Sequence, residues 1–134
     1  MKGRFARYVT LAAASAAALV LVGCRSAPVM NVVDAPVVVG SGKAVTKQTV
    51  RNVIMQSGSG LGWQMQDVDS HTLQGTLYLR SHMAQVEIPY SATSYSINYK
   101  NSTNLDYNGT NIHSNYNGWV QNLDRTIKAR LIGE

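Results

Sequence analysis

Residues 72–99 read TLQGTLYLRSHMAQVEIPYSATSYSINY, and this stretch decides the fold. Apolar and polar side chains alternate in three runs, separated by short breaks at Ser81-His82 and Ser91-Ala92-Thr93. A period of two is typical of a strand that is buried on one face and solvated on the other. Breaks this short favour antiparallel pairing, because parallel strands need longer crossovers. The positions expected to face the core are Leu73, Gly75, Leu77, Leu79, Ala84, Val86, Ile88, Tyr90, Tyr95, Ile97 and Tyr99.

Further strands are predicted on both sides of this stretch. Trp63 and Met65 start a strand that turns over residues 67–70. Asp67 takes an apolar position of that alternation, which favours a bulge or the end of the strand. After the meander, Leu105 and Tyr107 are expected to add an edge strand within an Asn-rich segment.

A first helix, at the N-terminal side of the folded domain, is predicted from about Thr46 to Ser57. Its apolar residues recur at helical spacing along a single face. Thr46 is a plausible N-cap, since a threonine hydroxyl can accept from a free amide of the first turn. The run Gly58-Ser59-Gly60 is expected to end the helix.

A second helix is predicted at the C-terminus, beginning near Ser114 or Asn115 and running to about Leu131. It also carries one apolar stripe, and its later turns hold cations, which suit the helix dipole. The predicted fold class is therefore α+β. It consists of an antiparallel meander of three to five strands, with an N-terminal and a C-terminal helix packed on one face.

The N-terminus has the layout of a secretory signal peptide. A basic head with Lys2, Arg4 and Arg7 precedes the uncharged, Ala-rich run Tyr8–Val22. A helix of these 15 residues would be only about 22 Å long, short of a hydrocarbon core of about 30 Å. A cleaved leader is therefore favoured over a retained transmembrane anchor.

The leader ends in Leu21-Val22-Gly23-Cys24, which looks like a bacterial lipobox. In a lipobox the cysteine thiol is acylated and the chain is cut just before it. Cys24 is the only cysteine, so an intrachain disulfide is excluded. The alternative is a small buried thiol. Arg25 stands where an Asp would signal retention in the inner membrane, so we expect an outer-membrane protein facing the periplasm.

Three regions follow from these features. Residues 1–23 are the predicted signal peptide, and residues 24–44 are the lipidated N-terminus and a tether. Two apolar patches in the tether indicate that part of it lies along the domain as an extended strip. Residues 45–134 form the compact α+β domain.

The charge of +5 gives little support for an anionic partner. Three of the twelve basic residues lie in the leader, so nine basic residues face seven acidic ones after cleavage. No basic patch or stripe remains, and we predict no nucleic-acid partner. The membrane, reached through acyl chains on Cys24, is the predicted partner, together with an envelope protein or cell-wall glycan.

The histidines give no clear metal or catalytic pattern. His71 and His82 flank one strand near Asp67 and Asp69, so a four-ligand metal site is conceivable, but solvated turn histidines are the simpler interpretation. We predict no metal, no cofactor and no catalytic residue. An envelope-acting hydrolase that uses His82 or His113 is the alternative.

A binding surface is the most specific site prediction. Tyrosines and asparagines are interleaved after residue 94, and aromatic faces with amide groups suit sugars or a polar protein surface. The alternative is that the tyrosines belong to the core and the asparagines to turns. The candidate binding residues are Arg80, His82, Tyr107, Asn108, His113, Asn115 and Asn117.

Several motifs resemble one group of proteins. They are Gly62-Trp63, Gly75-Thr76-Leu77 with Arg80 and His82, Asn104-Leu105-x-Tyr107, and Ile112-His113-x-Asn115-Tyr116-Asn117-x-Trp119. Over about residues 45–132, with the lipobox, the chain is similar to small uncharacterised proteobacterial lipoproteins. The resemblance implies an anchored, compact domain and supplies no activity. The predicted function is therefore a lipid-anchored envelope protein with a non-catalytic binding or structural domain.

Overall fold

The computed structural model describes Gly3 and residues 25–134. The predicted signal peptide, apart from Gly3, and the predicted acylation site Cys24 lie outside the described residues. The elements run β1 (Ser26–Pro28), β2 (Val32–Pro36), α1 (Lys47–Gly60), β3 (Gln64–Asp69), β4 (Thr72–Leu79), β5 (His82–Pro89), β6 (Ser94–Thr103), β7 (Asn111–His113) and α2 (Ser114–Ile132). The fold is α+β.

The main sheet has five antiparallel strands in the order β2-β6-β5-β4-β3. Strands β3 to β6 are neighbours in chain order, as expected for strands joined by short turns. A second sheet of two strands pairs β1 with β7, and Ser26 stands opposite His113. The N-terminal segment and the start of α2 are therefore joined by backbone hydrogen bonds.

Both helices contact the inner face of the main sheet. Met65 of β3 lies against Gly58 of α1, and its register partner in β4 is Gly75. On β6, Tyr95 reaches Asp124 of α2. The side chains between helices and sheet form one apolar core, which includes Leu73, Val86, Ile88, Ile97, Val50, Ile54, Val120, Leu123 and Ile127.

Helix α1 begins where the sequence predicts and ends later. Thr46 is the N-cap, and its Oγ1 accepts from the amide of Thr49 at 3.1 Å. The helix continues through Gly58-Ser59-Gly60, so this run is its last turn, and the predicted end at Ser57 was wrong. Gly62 follows the helix with a φ of +93°, which is the left-handed conformation that glycine adopts at low cost.

Part of the predicted tether is built into the domain. β2 forms an edge strand against β6, and β1 pairs with β7. Asn117 of α2 holds the link between the two strands: its Oδ1 accepts from the amide of Met30, and its Nδ2 donates to the carbonyl of Pro28, both at 2.9 Å. Residues 26–36 therefore lie against the domain as extended chain.

The predicted strand at Leu105 and Tyr107 was wrong. Residues 104–110 form a loop, and the strand that follows is β7. Asn104 and Asp106 have φ values of +57° and +52°, which interrupt an extended chain on both sides of Leu105. Leu105 is buried all the same, with 2% of its surface exposed.

Asp67 faces α1 from the inner side of β3. Arg51 binds both of its carboxylate oxygens, with Nε–Oδ1 at 2.8 Å and Nη2–Oδ2 at 2.5 Å. The pairing between β3 and β4 shifts register between Asp67 and Asp69, which agrees with the predicted bulge. The carboxylate at an apolar position is thus explained by a cation on the facing helix.

Candidate functional site

Six of the seven candidate binding residues lie at one end of the domain. We call it the proximal end, because Arg25, the first residue after Cys24, lies there. It is built from the turn between β4 and β5, the loop of residues 104–110, and the junction of β7 with α2. The candidates at this end are Arg80, His82, Tyr107, Asn108, His113 and Asn115.

The turn between β4 and β5 is fixed to the loop of residues 104–110. Nδ1 of His82 is 2.7 Å from the carbonyl oxygen of Asn104, so it is the protonated nitrogen that donates. In return, Nδ2 of Asn104 donates to the carbonyl of Ser81 at 2.8 Å. Arg80 is exposed at the tip of this turn, with a φ of +56°. The His82 ring therefore links the turn between β4 and β5 to the loop of residues 104–110.

Tyr107 and Asn108 shape the loop itself. The Tyr107 ring lies 4.1 Å from that of Tyr99, centroid to centroid, and keeps 40% of its surface exposed. Oδ1 of Asn108 accepts from the amides of Thr110 and Asn111 at 3.0 and 2.8 Å. That geometry is an Asx turn, in which the side chain substitutes for a backbone acceptor.

His113 caps the start of α2. Its Nδ1 accepts from the amide of Asn115 at 3.2 Å, which satisfies one free donor of the first helical turn. Its own amide donates to the carbonyl of Leu105 at 2.8 Å. His113 also lines an open pocket of about 290 Å³ together with Arg25, Ser26 and Asp106. Asn115 is exposed beside it.

Asn117 does not belong to this surface. Both ends of its amide are bound to the backbone between β1 and β2, as described above, so it fixes the N-terminal segment. The oxygen and the nitrogen of the Asn117 amide are therefore occupied within the fold, and the structure does not bring this side chain together with the other six candidates.

The histidines do not form one centre. His71 follows β3 at the opposite, distal end of the sheet, where its carbonyl accepts from the amide of Tyr90. His82 and His113 both touch the loop of residues 104–110, but each ring binds backbone. Within residues 25–134, no group of three or more His, Cys, Asp or Glu side chains is placed to hold a metal ion.

Two exposed side chains at the proximal end are not among the candidate residues that the sequence suggested. Tyr78 and Leu79 are 62% and 46% exposed beside Arg80. Leu79 was expected in the core by alternation, which was wrong. The available signal was its place at the last position of β4, directly before the turn, where the helices no longer cover the strand.

No helix among the described residues is both long and apolar enough to cross a bilayer. No family model matches the chain, and neither a curated protein nor a solved structure matches it. The resemblance to proteobacterial lipoproteins stays a prediction.

Proposed function

We propose that this chain is a lipid-anchored protein of the bacterial cell envelope, facing the periplasm from the outer membrane, with a non-catalytic binding or structural domain. The observation that carries the proposal is the junction between the lipobox and the fold. Leu21-Val22-Gly23-Cys24 is followed by a single residue, Arg25, and then by β1. A cut before Cys24 would thus release the leader and leave the folded part intact.

The contacts of His113 support a non-catalytic domain. A general base needs an unprotonated ring nitrogen that is free to reach a substrate proton or a nucleophile. Nδ1 of His113 accepts from the amide of Asn115, so Nε2 carries the ring proton, and this contact favours a structural role for His113. Nδ1 of His82 donates to the carbonyl of Asn104, which leaves Nε2 of His82 as an acceptor, so the hydrolase alternative depends on His82.

Mass spectrometry of the N-terminal peptide tests the anchor. The full chain, expressed with its leader in a Gram-negative host, is expected to start at Cys24 and to carry fatty acyl groups. The matched control is Cys24→Ser, which removes only the sulfur and should leave the leader attached and the chain without lipid. A free thiol with an intact leader in the wild-type protein would overturn the proposal.

Two measurements separate binding from catalysis. Photo-crosslinking in intact cells is expected to recover an envelope protein or glycan bound to the domain. If crosslinking gave no partner and the pure domain bound no envelope component, the binding role would fail. A turnover of envelope substrates that His82→Ala or His113→Ala abolishes would establish the hydrolase instead.

A further inference from the structure

The distance from the predicted anchor to the folded domain is very short. Ser26 is held in β1 opposite His113, and only Arg25 separates it from Cys24. Because an extended chain spans at most about 3.6 Å per residue, the backbone of Cys24 lies within about 7 Å of Ser26 by covalent geometry alone. An acyl chain on Cys24 would therefore leave no flexible spacer between the membrane and the proximal end.

We propose that the proximal end is a membrane-docking surface that rests on the lipid headgroups and fixes the orientation of the domain. This inference rests on the proposed acylation of Cys24 and goes beyond it. An anchor alone allows the domain to tumble, whereas docking holds one face on the bilayer. The occupant is the headgroup layer of the membrane that carries the anchor.

The exposed side chains of the proximal end suit that layer. Tyr78 and Leu79 project at the end of β4, and Tyr107 is exposed on the neighbouring loop. Tyrosine is favoured at membrane interfaces because its ring is apolar and its hydroxyl stays hydrated. Arg80 lies beside them, and its guanidinium can pair with lipid phosphate.

The charges of the proximal end also favour contact with lipid headgroups. Arg25 and Arg80 are cationic, and Asp106 is the carboxylate beside Arg25 in the pocket that His113 lines. The balance of these three charges is positive, which complements anionic headgroups. The proximal end, where the chain leads to Cys24, thus carries three exposed apolar or aromatic side chains and two cations.

The distal end offers matched control positions. Val68 near the end of β3 and Ile132 at the end of α2 are 48% and 54% exposed, similar to Leu79 and Tyr78. Thr93 lies in the turn before β6, and this ten-residue strand separates it from the loop of residues 104–110 by about 33 Å. A domain that rests on its proximal end keeps all three positions in water.

The test uses the acylated full-length protein in vesicles of phosphatidylethanolamine and phosphatidylglycerol. A fluorophore is attached to Ser81→Cys, beside Arg80 in the exposed turn, or to Thr93→Cys, and lipids with spin-labelled headgroups serve as quenchers. Because quenching needs near contact and the ends are about 33 Å apart, we expect about tenfold stronger quenching at position 81 than at position 93. Equal quenching at the two positions, or none at position 81, would overturn docking.

Two sets of variants identify what holds the surface on the bilayer. The pair Tyr78→Ser with Leu79→Ser should reduce quenching at position 81, whereas Val68→Ser with Ile132→Ser should leave it unchanged. A ten-residue Gly-Ser spacer inserted between Arg25 and Ser26 should also reduce it. Equal effects of both serine pairs would contradict the proposal.

Mass spectrometry of the same samples separates the two proposals. If Cys24 carries no lipid, the anchor and the docking surface both fail. If Cys24 is acylated and position 81 is not quenched, only the docking surface fails. A photo-crosslinker at Leu79 that captures an envelope protein, and not lipid, would assign the proximal end to a protein partner and overturn membrane docking.

Discussion

Oη of Tyr95 in β6 donates a 2.6 Å hydrogen bond to Oδ1 of Asp124 in α2. Tyr95 is almost fully buried, and Lys128 binds the other carboxylate oxygen at 2.9 Å. Burial, followed by the contact with Asp124, raises the pKa of the Tyr95 phenol well above its usual range, so the phenol stays a donor. This contact joins the C-terminal helix to β6, the strand beside the edge strand β2.

Replacing Tyr95 by Phe should lower the free energy of unfolding by about 1–3 kcal/mol, because a hydrogen bond to a charged group is lost and the carboxylate stays partly buried. Urea denaturation followed by circular dichroism measures the change.

A double-mutant cycle with Asp124→Asn separates this contact from general packing. The double variant should lose less stability than the sum of the two single variants, because both remove the same hydrogen bond. Additive losses would show that Tyr95 and Asp124 contribute independently.

Replacing Tyr116 by Phe should stabilise the fold, in contrast to Tyr95→Phe. Its hydroxyl is buried without a hydrogen-bond partner, and its ring packs edge-on against Tyr99 at 5.6 Å between centroids. Burial raises the pKa of Tyr116, since the charged phenolate is disfavoured there. Tyr116→Phe removes the unpaired group and keeps the ring, so the free energy of unfolding should rise by about 1 kcal/mol. A loss of stability would mean that the hydroxyl has a partner in solution.

The ion pair between Arg51 and Asp67 predicts that the free energy of unfolding depends on pH. The hydrogen bond from Arg51 lowers the pKa of Asp67 below its ordinary value of 3.8. A lowered pKa in the folded state gives stability that is fully present above the ordinary value and is lost as the pH falls through the folded value. Asp67→Asn should therefore be less stable than wild type at about pH 6, and the gap should close as the pH falls below 3.8 and through the lowered pKa of Asp67.

Arg51→Met is the matched variant for this pair. It removes the cation and keeps most of the side chain. Like Asp67→Asn, it should therefore reduce the part of the free energy of unfolding that is lost at acid pH. Thermal unfolding at several pH values measures both variants. A gap between wild type and Asp67→Asn that stays constant with pH would contradict the assigned pair.

Asn117→Ala should loosen the N-terminal segment. The variant removes both hydrogen bonds to the link between β1 and β2, at an expected cost of about 1–2 kcal/mol. Hydrogen exchange should become faster at Met30, whose amide donates to Oδ1 of Asn117. Asn115→Ala, at an exposed position two residues away, is the control and should leave exchange at Met30 unchanged.

The sheet and helices were largely predictable from local pattern. Alternation identified β4, β5 and β6, and a single apolar face identified α1 and α2, since both signals arise within one element. Thr46 was predictable as an N-cap for the same reason. These features need only neighbours in the sequence.

The missed features depend on partners that are remote in the sequence. Nothing near Asn117 indicates that it binds the backbone at Pro28 and Met30. Leu79 followed the core alternation, but its exposure is set by where the helices stop covering the sheet. The gathering of Arg80, Tyr107 and His113 at one end likewise depends on strand order.

The pairing of the N-terminal segment also bears on the order in which the chain would fold if it is secreted as proposed. The Met30 amide binds a side chain 87 residues further along the chain, and contacts this remote form only after nearly all of the polypeptide is available. A chain threaded through the membrane from its N-terminus would hold β2 unpaired until β6 emerges, β1 unpaired until β7 emerges, and the Met30 amide without Asn117 until α2 emerges. Leader removal before Cys24 would then act next to an N-terminal segment that has not yet paired with the domain. The first strands to be synthesised would thus be among the last to form their hydrogen bonds.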